Sequence, residues 1–251
     1  MPNLFDHVPL SEQAKAELAP TGVLRAGVNM GNPLLVTGRT ADGGPDGVSP
    51  DMARAIAVRL GVPVVLVPFA SPAVLGDAVD TDAWDIALIG AEPQRAEFIE
   101  FSPPYVEIEA TYLVPPGSPI QALAEVDQPG VRIAVSGRSA YGLWLERNIQ
   151  HATLHRADSP EAAVRLFLDE RLDALASLRP ALLDDTTSLP GARVLDGQFA
   201  SVQQAIGTSK KNPAGAAFLR VFIEEAKAVG FVAGLIEQRG LVGRLAVAPP
   251  A

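Results

Sequence analysis

The chain has 251 residues, 48% of them apolar, and no cysteine; that length can bury one large core or two modest ones, and disulfides and thiolate-metal sites are excluded. Its longest apolar clusters, such as 62–70, are broken by proline and fall short of the roughly 18 residues needed to span a bilayer. A formal net charge of -9 disfavours a polyanionic partner, because phosphate contacts come from clustered Lys and Arg and only Lys210-Lys211 stands out, so no nucleic acid is expected.

In chain order, residues 1–20 carry acids and have neither a basic leader nor an apolar h-region. Two readings stay open, a cytoplasmic chain or a periplasmic one whose leader has been removed, and the natural-looking start favours the first. Ser11 to Leu18 has the period of a short amphipathic helix, ended by Pro20, and is read as an appendage. Val23 to Val28 follows as a compact strand. The next helix is marked by Ser49 as N-cap, Pro50 at its first position, apolar Met52, Ile56 and Leu60 four apart, and Gly61 as its stop. Val64 to Val67 and Ile86 to Ile89 are unbroken apolar runs, the pattern of strands buried on both faces of a parallel sheet.

The alternation then repeats. Val131 to Val135 reads as a strand, Ala140 to Asn148 as a helix, Ser159 to Leu168 as a helix opened by Ser159 and Pro160, and Leu172 to Ala176 as a strand. Two such β-α-β runs predict two α/β lobes. Between them Pro115-Pro116-Gly117-Ser118-Pro119 can continue neither a helix nor a central strand and reads as a linker. Helical periodicity returns with Phe218, Val221, Phe222 and Ala226, then Phe231, Leu235 and Ile236, predicting a two-helix carboxyl-terminal cap.

Several strings carry a resemblance. They are Gly22-Val-Leu-Arg-Ala-Gly-Val, Asp46-Gly47-Val48-Ser49-Pro50-Asp51, Trp84-Asp85-Ile86-Ala87, and above all Glu92-Pro93-Gln94-Arg95 followed by Phe101-Ser102-Pro103-Pro104-Tyr105. In the second half they are Ile133-Ala134-Val135-Ser136-Gly137-Arg138-Ser139, Leu172-Asp173-Ala174-Leu175-Ala176 and Gln204-Ala205-Ile206-Gly207-Thr208. Together they resemble the polar-amino-acid family (family 3) of solute-binding proteins of ABC transporters, over more than four fifths of the chain. The resemblance implies an α/β, two-lobed type II periplasmic-binding-protein-like fold with two hinge crossings. Residues 1–21 would be an N-terminal extension, 22–114 and 198–246 a discontinuous lobe one, and 115–197 lobe two.

It also implies a receptor that closes on a small carboxylate-bearing ligand. In the family the residue matching Arg95 holds the ligand carboxylate, a task suited to the planar fork of a guanidinium. On the other lobe, Gly137, Ser139 and Ala140 lie where a strand turns into a helix, and backbone N-H groups with the helix dipole favour an anion there. Arg95 and that helix start would clamp one carboxylate as the lobes shut.

The family pattern breaks at the amine. Gly90, followed by Ala91, stands where relatives place a Ser or Thr, and Ala176-Ser177-Leu178-Arg179 has no acid where relatives carry one. A buried ammonium without a partner is costly, so the ligand lacks an amine or another carboxylate serves, with Glu92, Glu107 and Glu109 as candidates. Ser177 and Arg179 are candidate contacts for a second acidic group, and Asn29 and Asn32 replace the usual aromatic after the first strand. The competing reading of these two is an ordinary turn, with both amides bonded to their own backbone.

No catalytic residue, metal ligand or cofactor is assigned. An enzyme reading stays open as the alternative, because cyclohexadienyl dehydratase is similar in fold, and it would need a general acid among the same three glutamates. Expected partners are the small carboxylate and an ABC permease, for a monomeric receptor with no membrane-spanning segment. A sensing or delivery role is the alternative for a cytoplasmic chain.

Overall fold

The computed structural model describes residues 4–251, which contacts divide into two units. The first runs through Glu107 and resumes over Gln203–Ala251, and the second is Ile108–Val202. The chain therefore crosses twice, each time within a strand, Val106–Val114 and Ala200–Ser209. Residues 115–119, read as the linker, lie inside the second unit.

In the first unit, strand Leu24–Asn29 lies between two parallel neighbours, Val64–Phe69 and Ile86–Gly90. Helix Val48–Leu60 connects the first pair and helix Pro72–Asp77 precedes the third strand. The returning chain pairs antiparallel to Ile86–Gly90, with Gln204 opposite Gly90 and Gly207 opposite Ala87. Met52, Ile56 and Leu60 fall on the buried face of their helix, as their spacing predicts, and each such side chain contributes about 1.5–3 kcal/mol of burial.

The second unit repeats this plan. Arg132–Ser136 lies between parallel Thr153–Ala157 and Ala174–Leu178, and the latter pairs antiparallel with the part of Val106–Val114 that belongs to this unit. Helices Ala140–Asn148 and Pro160–Asp169 make the two connections. Ser159 caps the second of these by accepting from the Ala162 N-H at 3.1 Å, with Pro160 in the first turn.

The likeness of the units extends to a clasp at the amino-terminal ends of their strands. The Asp85 carboxylate accepts from the Arg25 N-H at 2.7 Å and from its Nε at 3.1 Å, while the Asp85 N-H donates to the Arg25 carbonyl at 2.8 Å. The Asp173 carboxylate accepts from the Arg132 N-H at 2.8 Å and its Nε at 3.1 Å, and the Asp173 N-H donates to the Arg132 carbonyl at 3.0 Å. Each guanidinium also reaches a carbonyl of a residue with positive φ, Asp82 in one unit and Arg171 in the other.

Three local expectations change. Helix Val48–Leu60 begins one residue earlier than Ser49 predicts: its N-cap is Gly47, at φ 144, where a Cβ would meet the Leu35 carbonyl oxygen at 2.4 Å. Ser49 is instead a buried residue of the first turn, its hydroxyl 2.8 Å from that of Tyr105. Val64–Phe69 is not buried on both faces, since it ends the strand order and leaves Val65 51% exposed. Helix Glu12–Leu18 is no appendage: Leu18 is fully buried, Glu17 accepts from the Gly215 N-H at 2.7 Å, and Phe5 packs on Phe222 and Phe231.

Candidate functional site

Within each unit the candidate residues gather at the carboxyl ends of adjacent parallel strands, the end at which open α/β sheets bind ligands. In the first unit Asn29 ends Leu24–Asn29 and Gly90 ends the fully buried strand Ile86–Gly90. Just beyond, the one-turn helix Pro93–Ala96 carries Arg95. Its side chain is buried, and its Nη1 donates to the Gly90 carbonyl at 2.7 Å, which fixes the guanidinium against the strand end. The Ala91 N-H donates to the Gln203 carbonyl at 2.8 Å, tying this turn to the returning strand.

Asn29 and Asn32 are both buried, and each amide oxygen accepts from the backbone two residues on, at Gly31 (3.0 Å) and Leu34 (3.1 Å). That is the self-bonded turn weighed as their competing reading.

In the second unit Ser136 ends Arg132–Ser136 and Ser177 lies near the end of Ala174–Leu178. Ser139 caps helix Ala140–Asn148, accepting from the Gly142 N-H at 3.0 Å and donating to the Ser136 carbonyl at 2.7 Å. Gly142 permits this close turn, because a Cβ there would meet the Ser136 oxygen at 2.5 Å. The Gly137 N-H is not available to an anion: it donates to the Ala157 carbonyl at 2.8 Å. The left-handed step of the turn falls on Arg138, at φ 58, and not on the glycine.

Tyr141, which the sequence reading passed over, joins this group. Burial pushes the pKa of its phenol up while the neighbouring Ser177, Ser139 and Ser136 pull it down, with a net rise that keeps the phenol protonated. Ser136, Ser139, Tyr141 and Ser177 are all buried. A sequence signal existed only in part, as Tyr141 falls in the first turn of a helix already placed at the strand end.

The charged candidates of the second unit are matched to each other. The Arg179 Nε donates to a Glu109 oxygen at 2.5 Å, and its Nη2 reaches the carbonyls of Leu195 and Gly197. Arg179, read as a contact for a second acidic group, thus faces Glu109, read as a substitute ammonium partner. Of the other glutamates, Glu107 accepts from the Gln203 side-chain amide at 2.7 Å, and Glu92 is buried, its backbone carbonyl accepting from the Arg95 N-H at 2.9 Å. No group of three or more His, Asp or Glu residues among the described ones is placed to hold a metal.

The chain is similar to several known proteins. The curated relative cyclohexadienyl dehydratase of Pseudomonas aeruginosa is 33% identical over 140 residues, 53% of this chain and 51% of that protein, so the chain matches about half the relative's length. Among solved structures, the ancestral amino acid-binding protein AncCDT-1, a precursor of cyclohexadienyl dehydratase, is similar with a TM-score of 0.73 at 21% identity, over 89% of this chain and 97% of that one. An amino acid ABC transporter substrate-binding protein from Streptococcus pneumoniae bound to L-arginine gives 0.72 at 20% identity, over 94% and 99%. At such identities the likenesses show the fold, that of type II periplasmic binding proteins. A family profile matches residues 24–238, and the chain belongs to the bacterial extracellular solute-binding proteins, family 3.

Proposed function

We propose that this protein binds, without converting, a small carboxylate-bearing solute, an amino acid or an amine-free organic acid, and that Arg95 holds the carboxylate. The observation that carries the reading is the buried Arg95 guanidinium fixed by the Gly90 carbonyl at 2.7 Å, at the carboxyl end of the central strands of its unit. A guanidinium is a planar fork suited to bidentate recognition of a carboxylate, and anchoring it at the strand end reduces the ordering cost of binding. The permease of an ABC transporter would be the protein's partner, and a monomer its working state.

A thermal-shift screen of amino acids, oxo acids, hydroxy acids and dicarboxylates finds the ligand class, because a compound that binds only the folded chain raises its melting temperature. Calorimetry on the best hit then tests Arg95. Arg95→Ala should weaken binding by about 3 kcal/mol, the scale of a hydrogen bond to a charged group; an unchanged affinity removes Arg95 from the site. Closure on the ligand, as expected of the family, would appear as a smaller radius of gyration in solution scattering.

The dehydratase relative favours a second reading, catalysis on a carboxylated substrate. It needs a general acid, and Glu107 and Glu109 are engaged by Gln203 and Arg179. Turnover of prephenate by the purified chain would establish this reading over the first.

A further inference from the structure

We infer that Gly76 is a positioning residue: its bare face seats the stem of Arg95 and so sets where the guanidinium stands at the end of strand Ile86–Gly90. The inference rests on the carboxylate reading of Arg95 and deepens it, and every residue it uses lies in the first unit.

The seat is visible in what a side chain at position 76 would touch. A Cβ built on Gly76 would have Cδ, Nε and Cγ of Arg95 as its nearest neighbours outside its own helix, at 3.8, 3.8 and 3.9 Å. Three consecutive atoms of the stem thus lie along the bare backbone of helix Pro72–Asp77. Beyond them the Arg95 Nη1 donates to the Gly90 carbonyl at 2.7 Å. One element therefore holds the buried side chain along its stem and another holds it at its head. An arginine stem is rich in rotamers, and a surface that fixes it lowers the freedom lost when an acid binds.

The helix that forms this seat is pinned from behind. Leu75, next to Gly76, is fully buried, and a Cβ on Gly27 of strand Leu24–Asn29 would fall 2.5 Å from its Cδ1. The Leu75 carbonyl accepts from the Trp84 indole N-H at 3.0 Å, and the Trp84 ring lies 3.3 Å from that same Cβ position. Gly27 lets the helix press on the sheet, and Gly76 leaves room on the helix for Arg95. The φ of Gly76 is not positive, so this glycine provides space and not an unusual backbone conformation.

Size at position 76 is then what matters. An alanine methyl would make ordinary contact with the stem. Valine adds two γ carbons, with χ1 nearly fixed in a helix and little freedom to turn away. With the helix pinned, the residue that gives way is Arg95.

The test begins with a double-mutant cycle in thermal unfolding, which requires no ligand. Gly76→Val should lower the melting temperature by about 4 °C in the native background, and by less than about half as much where Arg95→Ala has emptied the space. Equal losses in the two backgrounds, or no loss in either, overturn the inference, because the valine then meets something other than Arg95. A valine variant that unfolds alone but folds with Arg95→Ala supports it, and one unfolded in both backgrounds counts as an equal loss.

Calorimetry then reads the site with four probes, L-arginine, L-glutamate, succinate and phenylpyruvate. A probe that the native chain binds should be weakened about tenfold by Gly76→Val and no more than about twofold by Gly76→Ala. Full affinity in the valine variant overturns the inference. If Arg95→Ala leaves the affinity of a bound probe unchanged, the carboxylate reading falls, while the unfolding cycle still decides whether Gly76 seats Arg95.

Discussion

At the scale of single residues, Arg95 was legible because a short string surrounds it, and the structure adds the Gly90 carbonyl that orients it. Tyr141 was not legible, because its part depends on three serines brought in from two strand ends and a helix cap, a meeting that no local spacing encodes. Asn29 and Asn32 show the reverse: their turn chemistry was readable and is what the structure shows, whatever else they do. The Arg179–Glu109 pair lay beyond sequence reasoning, since the residues are distant along the chain. Its side chains are 22% and 56% exposed, so solvent screens it, and Glu109→Gln should cost less than about 1 kcal/mol in urea denaturation. A larger loss would show that the carbonyls of Leu195 and Gly197 hold Arg179 only when Glu109 neutralises it.

At the scale of elements, helix Ala140–Asn148 has the bounds its pattern predicts, because Ser139 is a true cap. Helix Val48–Leu60 misled at its start because the cap there is a backbone conformation reserved for glycine and not a side chain. The amino-terminal helix misled because its packing surface, the helix Pro213–Ala228, is remote in sequence. Glu17 supplies the side-chain acceptor that this long helix lacks at its own N-cap, so Glu17→Ala should cost about 1 kcal/mol, read as a lower melting temperature.

The carboxyl-terminal helix Phe231–Gln238 is tied to Val48–Leu60 in a different way, through Arg239 donating to Asp46 at 2.6 and 2.7 Å and to Asp51 at 2.6 Å. The Arg239 hydrogen bonds, opposed by partial burial, hold the Asp46 carboxyl below its ordinary 3.8. A folded value lower than the unfolded one contributes stability that is present above the unfolded value and lost as pH falls through the folded one. Arg239→Leu should therefore move the acid-unfolding midpoint to higher pH, and an unmoved midpoint would show that the pair does not anchor the helix.

At the scale of the whole molecule, the division into α/β units was legible from the repeated alternation of strands and helices. The positions of the crossings were not, because proline marks a break in hydrogen bonding and the crossings are continuous strands. The two clasps, alike in geometry, differ in burial: the side chain of Asp85 is 3% exposed and that of Asp173 is 38% exposed. Asp85→Asn should therefore cost about 3 kcal/mol by removing the charge of the buried partner of the half-buried Arg25, and Asp173→Asn less than about 1 kcal/mol. Chemical denaturation of the two variants tests that ordering, and equal losses would mean that burial does not govern the pair. Trp84 lies in one unit and Trp144 in the other, so single-tryptophan versions report each unit's unfolding separately.

The clasps hold the ends of the strands opposite those that carry the candidate site. Strand register is thus pinned by one set of residues and chemistry is offered by another. Such separation makes the protein a frame for directed change: positions 136, 139, 141 and 177 can be diversified as a cassette, with Arg25, Asp85, Arg132 and Asp173 left untouched. Variants from such a library should retain cooperative folding while differing in the solute they select, the property wanted of a scaffold for small-molecule sensors.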